Sequence, residues 1–245
     1  MTPADLYLQA VINRHASPDD PTPHRLRRQL LPLLRRWAGP NLESVTLSGS
    51  HPKGTALRSS DIDLFLSLSP KTPGPLSDIH QTLAHHFRDY LPRPRNVSLR
   101  IQFEGATIDL VPARRREDST AHTLWQQRHN TWLQTDIDRQ IRHVRSSQLL
   151  NEIRALKIWR KRNTLRFPSF LLELTVISAI TPNHPISDSF LTLLRYLAAD
   201  FPAAQLRDPA NSNNVVSALL TPQEKHRIAQ TAELSLRAES WTHIL

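Results

Sequence analysis

The segment Asp61-Ile62-Asp63-Leu64-Phe65-Leu66 opens on two acids and continues as an unbroken apolar run. A stretch of this length and composition reads as a central strand, from Asp61 to Leu68, and side chains along a strand alternate between faces. Asp61 and Asp63 therefore lie side by side on one face, with Ile62 and Leu64 on the other. Neighbouring carboxylates repel unless a cation stands between them, so the segment requires both a sheet to sit in and a positive partner. An all-oxygen pair without histidine suits Mg²⁺ or Mn²⁺ better than zinc. A third acid of the same kind is Asp109, the lone charge in Thr107-Ile108-Asp109-Leu110-Val111. Charges are rarely placed in such a strand for packing; the plainer alternative is an ion pair with Arg100 on a partner strand.

The chain has only 5 glycines in 245 residues, and two of them, Gly49 and Gly54, fall in Ser48-Gly49-Ser50-His51-Pro52-Lys53-Gly54-Thr55. A strand ending in Gly-Ser turns sharply and presents backbone N–H groups and a hydroxyl, the groups that hold phosphate oxygens. Gly49 and Ser50 are thus candidate phosphate ligands, although alone they read equally as a plain turn. The chain has no cysteine, which excludes a disulfide scaffold and any thiolate metal site. Its formal charge is +9, and 26 of its 31 Lys and Arg residues are Arg, whose planar fork suits phosphate. The first twenty residues hold Asp5, Asp19 and Asp20 and no long apolar run. The most apolar stretch, Phe170 to Ile180, is interrupted by Glu173 and falls short of the ~20 residues a membrane span needs. A soluble, cytoplasmic protein with no membrane partner is expected.

Helical spacing marks residues 5–16 and 22–38, and Gly39-Pro40 ends the second. The period then changes to two over Ser44 to Ser50, Asp61 to Leu68, Val97 to Phe103 and Thr107 to Val111, the last two joined as a hairpin at Glu104-Gly105. Residues 70–75 read as a loop and Leu76 to Tyr90 as a helix. Beyond about residue 120 strand signals vanish, and helices are expected near 138–163, 169–180, 187–199 and 222–238. The expected class is α+β: a lobe with a small mixed sheet and the N-terminal helices over residues 1–118, and a helical lobe over 119–245. Basic residues from Arg139 through Arg142, Arg145, Arg154, Arg160, Arg162 and Arg166 read as a stripe that favours nucleic acid as acceptor or activator. Trp125 and Trp132 read as packing residues, and the scattered histidines, His51 and His85-His86 among them, as surface.

Gly-Ser, then Asp-x-Asp on the next strand, then a lone Asp on a later strand resembles the DNA polymerase β-like nucleotidyltransferase superfamily. Residues Gly49 to Ala56 are similar to the branch that holds 2′–5′ oligoadenylate synthetases, cyclic GMP-AMP synthase and bacterial CD-NTases, and to archaeal-type CCA-adding enzymes. Leu156-Lys157-Ile158-Trp159 resembles the branch's spine-helix lysine, and Ser169 to Glu173 its Ser-x-x-x-Glu helix. Asp208-Pro209-Ala210-Asn211 resembles its C-terminal segment. His51 and Pro52 depart from the family, which more usually has an aromatic and a small residue there.

The resemblance implies a polymerase β-like fold with its active site in the cleft between two lobes. It implies two Mg²⁺ ions on Asp61, Asp63 and Asp109, and nucleoside triphosphates held by Gly49, Ser50, Lys157 and Ser169. Read from the residues alone, Lys157 is one of a solvated stripe and Ser169 a helix start. The implied reaction is nucleotidyl transfer to a nucleotide hydroxyl with loss of pyrophosphate, making a linear or cyclic oligonucleotide, a product often tied to antiviral defence. The alternatives are addition of nucleotides to an RNA or DNA 3′ end, modification of a protein hydroxyl, and a catalytically silent nucleotide- or nucleic-acid-binding module.

Overall fold

The computed structural model of the chain describes residues 1–17 and 20–245. Two helices, α1 (Pro3–His15) and α2 (Thr22–Ala38), precede β1 (Leu42–Ser48), a single helical turn α3 (Ser50–Lys53) and β2 (Ile62–Leu68). Then come α4 (Leu76–His86), β3 (Arg93–Pro94), β4 (Leu99–Phe103), β5 (Ala106–Arg115), β6 (His122–Gln126) and β7 (Thr131–Thr135). The remainder is α5 (Ile137–Ser146), α6 (Leu150–Arg162), α7 (Ser169–Ala179), α8 (Ile186–Ala199), a small hairpin of β8 (Arg207–Asp208) and β9 (Asn211–Val215), α9 (Pro222–Leu236) and α10 (Trp241–Ile244). No helix among the described residues is long and apolar enough to cross a membrane.

The chain forms two compact units, one of Asp19–Pro52 and Ser60–Ile141, the other of Met1–Pro18, Lys53–Ser59 and Arg142–Leu245. The first is built on a seven-stranded sheet in the order β1-β2-β5-β4-β3, with β6 on β5 and β7 on β6. β2 and β5 run parallel and every other pair antiparallel. The β4–β5 hairpin closes at Glu104-Gly105, both at positive φ (50° and 75°), the conformation of a two-residue turn whose twist matches that of the strands. One rank of the sheet, Leu47, Leu64, Leu110 and Leu99, is wholly aliphatic. With Ile62, Ile108 and Ile101 it packs under Leu26, Leu30 and Leu34 of α2 and under Leu83 of α4. Because a slip of one residue would turn this face to solvent, burial of these side chains fixes the register.

The second unit is helical. Leu8, Val11 and Ile12 of α1 share its core with Ile153, Leu156 and Trp159 of α6, Leu171 and Leu172 of α7, and Phe190 and Leu194 of α8. α1 starts on a capping box, in which Thr2 and Asp5 each accept the other's backbone N–H. Asp5 also accepts from Ser187 N (3.1 Å) and Ser187 Oγ (2.8 Å) at the start of α8.

Three expectations are corrected here. The units do not divide at residue 118: α1 belongs to the helical unit and residues 119–141 to the sheet unit. Strands do not end near residue 120, because β6 and β7 extend the sheet, with Leu124 packed on Phe65 and Ala113. The helix expected over 138–163 is two helices, broken where Gln148 takes φ 60° and Ser147 Oγ accepts from Leu149 N (3.3 Å). The basic stripe read along one helix is therefore divided between α5, α6 and the turn after α6.

Candidate active site

Sheet register assembles the acids. Ser48 pairs Asp63, Asp63 pairs Asp109, and Asp109 pairs Arg100, so one rank across β1, β2, β5 and β4 reads Ser, Asp, Asp, Arg. Paired residues share a face, and this rank lies on the face opposite the aliphatic one. Asp61, two residues before Asp63, joins it by the strand period.

Arg100 is the charge that makes the cluster tolerable. Its Nε and Nη2 donate to Asp109 Oδ1 (3.0 Å) and Oδ2 (2.7 Å), a bidentate pair, and Nη2 also donates to Asp61. Asp109 chiefly, through hydrogen bonds, and Asp61 raise the guanidinium pKa further above its ordinary value. The ion pair weighed as the plainer account of Asp109 is thus present, and it extends to Asp61. The side chain of Asp109 is 12% exposed and that of Asp61 41%.

Gly49 follows β1 directly at φ 65°, in the left-handed region that disfavours a side chain. A Cβ added there would overlap Asp63 Oδ2 and stand 2.7 Å from its Cγ. The backbone at Gly49 therefore lies against the Asp63 carboxylate, and Ser50 begins α3 immediately after. Gly49, Ser50, Asp61, Asp63 and Asp109 all belong to the sheet unit.

These residues fit a divalent cation in their chemistry: three hard carboxylates, two of them register partners. The guanidinium between Asp61 and Asp109 supplies positive charge of the kind a metal would bring. Among the described residues no three acids or histidines already converge as a ready cage, in keeping with their engagement by Arg100.

Lys157 and Ser169 lie elsewhere, in the helical unit. Lys157 is 2% exposed, and its Nζ donates to Glu173 Oε1 (2.8 Å), Thr55 Oγ1 (2.8 Å) and the Thr55 carbonyl (3.3 Å). An ammonium group has three protons, so all are used, and the structure does not offer Lys157 to a phosphate. Lys53 Nζ donates to Glu173 Oε2 (2.8 Å) and lies 4.5 Å from the Phe170 ring centre, and the Thr55 hydroxyl lies 2.9 Å from Glu173 Oε1. Burial opposes the charge on Glu173, but the two ammonium groups outweigh it and hold its pKa below the usual carboxylate value. Ser169 Oγ accepts from Arg160 Nη1 (3.0 Å), which also donates to the Phe167 carbonyl (2.7 Å), a structural tie at the start of α7. Arg154 likewise points inward, donating to the Gly54 carbonyl (2.7 Å).

The sequence reading missed this Lys53–Glu173–Lys157 cluster. Its signal was the one used for Asp109: Glu173 is the lone charge in an apolar stretch. Trp132, read as a packing residue, is exposed and faces Trp125 across the β6–β7 hairpin.

Residues 26–125 match the nucleotidyltransferase domain family. Solved structures share the fold. CdnC of E. coli MS115-1, determined with ATP, is 20% identical and superposes with a TM-score of 0.74, covering 95% of this chain and 92% of that one. The CD-NTase CdnG of Bradyrhizobium diazoefficiens, in complex with GTP, is 13% identical, with a TM-score of 0.72 over 95% of this chain and 89% of that one. Cid1 poly(U) polymerase, in its MgGTP-bound form, is 14% identical, with a TM-score of 0.65 over 97% and 95%. No curated protein matches by sequence.

Proposed function

We propose that this chain, whose residues 26–125 match the nucleotidyltransferase domain family, transfers a nucleoside monophosphate from a nucleoside triphosphate to a hydroxyl of another nucleotide, building a linear or cyclic oligonucleotide. The observation that carries this reading is the rank Ser48, Asp63, Asp109, Arg100, with the Gly49 backbone against Asp63.

In this reading the acceptor oxygen bonds to the α-phosphorus in line. The bond from that phosphorus to the bridging oxygen breaks, pyrophosphate leaves, and the acceptor's proton passes to water. Asp61, Asp63 and Asp109 hold Mg²⁺, two ions in the full arrangement, with Mn²⁺ as a substitute. A divalent cation there supplies Lewis acidity toward the acceptor hydroxyl and neutralises charge on the leaving group. The backbone N–H groups at Gly49 and Ser50, with the Ser50 hydroxyl, hold the departing phosphates. Arg100 bridges Asp109 and Asp61 and restrains both carboxylates.

A second reading, addition of nucleotides to an RNA 3′ end, is favoured by the likeness to Cid1 poly(U) polymerase. Mass spectrometry of products from all four ribonucleoside triphosphates with Mg²⁺, with and without single-stranded RNA, separates the two. Oligonucleotides formed without RNA support the first reading. Lengthened RNA and nothing else replaces it with the second, and absence of any pyrophosphate release overturns both in favour of a silent binding module.

A further inference from the structure

The helical unit holds a cavity of about 580 Å³ between α1, α6, residues 57–59 and the end of the chain, a volume typical of small-molecule sites. None of the candidate site residues discussed above lines it. Its floor is apolar, with Val11, Leu57 and Ile158 all buried. Its rim is basic: Arg14, His15, Lys161 and Arg162 line it, and no Asp or Glu side chain does. Arg14 has no ion-pair partner among the described residues. Lys161 donates to Ser59 Oγ (3.0 Å) and Arg162 to the Thr242 carbonyl (2.8 Å), which leaves each with further donors. Three like charges gathered on one rim repel, and the α-carboxyl group of Leu245 is the one acid that the lining sets against them.

We infer that this cavity binds a nucleoside phosphate at a site separate from the strand acids. The arginine forks and the lysine match a phosphate, the hydroxyls of Ser59 and Thr242 suit sugar hydroxyls, and the apolar floor suits a base. An acyl chain would leave those hydroxyls without use, and inorganic phosphate would leave the floor empty.

The test uses the full chain carrying Asp61→Asn and Asp63→Asn, in EDTA, so that binding through metal at the strand acids does not contribute. Calorimetric titration with AMP is expected to show saturable binding at least tenfold tighter than with adenosine or inorganic phosphate. Adding Arg14→Ala and Lys161→Ala, both at exposed side chains, is expected to weaken it at least tenfold with the melting temperature unchanged, while Lys161→Arg retains it. Photolabelling with 8-azido-AMP, which needs no rim variant, is expected to mark α1 or α6. No saturable AMP binding, phosphate binding as tightly as AMP, affinity unchanged by the rim substitutions, or label confined to other segments would each overturn the inference.

Discussion

Alanine at position 49 would meet two separate penalties. A left-handed backbone costs a residue with a Cβ about 1–2 kcal/mol, and the new methyl would press on the Asp63 carboxylate. Gly49→Ala should therefore lower the urea midpoint and, by displacing Asp63, reduce turnover at least about 100-fold; a variant with wild-type rate would separate Gly49 from the site. Arg100→Ala tests the guanidinium as the counter-charge of the acids. Removing it leaves Asp61 and Asp109 without their shared cation, so the variant should melt lower than wild type in EDTA and gain more than wild type from Mg²⁺. An equal gain in both proteins would show that the metal does not answer the same repulsion. At this scale the sequence was legible where a charge interrupts an apolar pattern, as at Asp63 and Asp109. Arg100 was legible only as an alternative partner for Asp109; its second bond, to Asp61, was not, because nothing in a run of alternating residues says that one guanidinium spans both acids.

Among the elements, α6 and α7 are joined by the buried set of Lys53, Lys157, Glu173 and Thr55, each 5% exposed or less. Breaking a buried pair from one side leaves uncompensated charge and costs about 3–5 kcal/mol. Glu173→Gln strands two ammonium groups and should cost that much or prevent folding, as read by urea denaturation. Lys157→Met, which leaves Glu173 still paired with Lys53, should cost less than Glu173→Gln. A Lys157→Met protein of unchanged stability that binds triphosphate more weakly would return Lys157 to the role the family resemblance implies. The period-two strands and the Glu104-Gly105 turn were legible because alternation and turn chemistry are local. The break between α5 and α6 was not, because Ser146-Ser147-Gln148 contains neither glycine nor proline, and the stop comes from a serine hydroxyl closing on nearby backbone. β6 and β7 escaped notice for a related reason: only Leu124 and Leu133 face the small core beneath them, too few apolar residues to make a pattern.

At the scale of the molecule, unit membership depends on contacts remote in sequence. α1 joins the helical unit through Leu8, Val11 and Ile12, and neither a linker nor a shift in composition announces this. Stability as a whole should depend on pH through two buried imidazoles. His80 and His122 have pKa values lowered by burial below the ordinary value, and His122 Nε2 sits 2.8 Å from Ser67 Oγ. A histidine held neutral in the fold contributes its full stability above the unfolded pKa of about 6.5 and loses it as pH falls below that toward the folded value. The urea midpoint should therefore drop between pH 7.5 and pH 5.5, and His122→Gln should drop less; an equal drop would place the effect elsewhere. Pyrophosphate release from labelled nucleoside triphosphates with Mg²⁺ tests the proposal that Asp61 and Asp63 serve nucleotidyl transfer. Wild type should release pyrophosphate and form a labelled product, and Asp61→Ala with Asp63→Ala should release none while melting as a folded protein. A folded double variant that turns over at the wild-type rate would contradict the assignment.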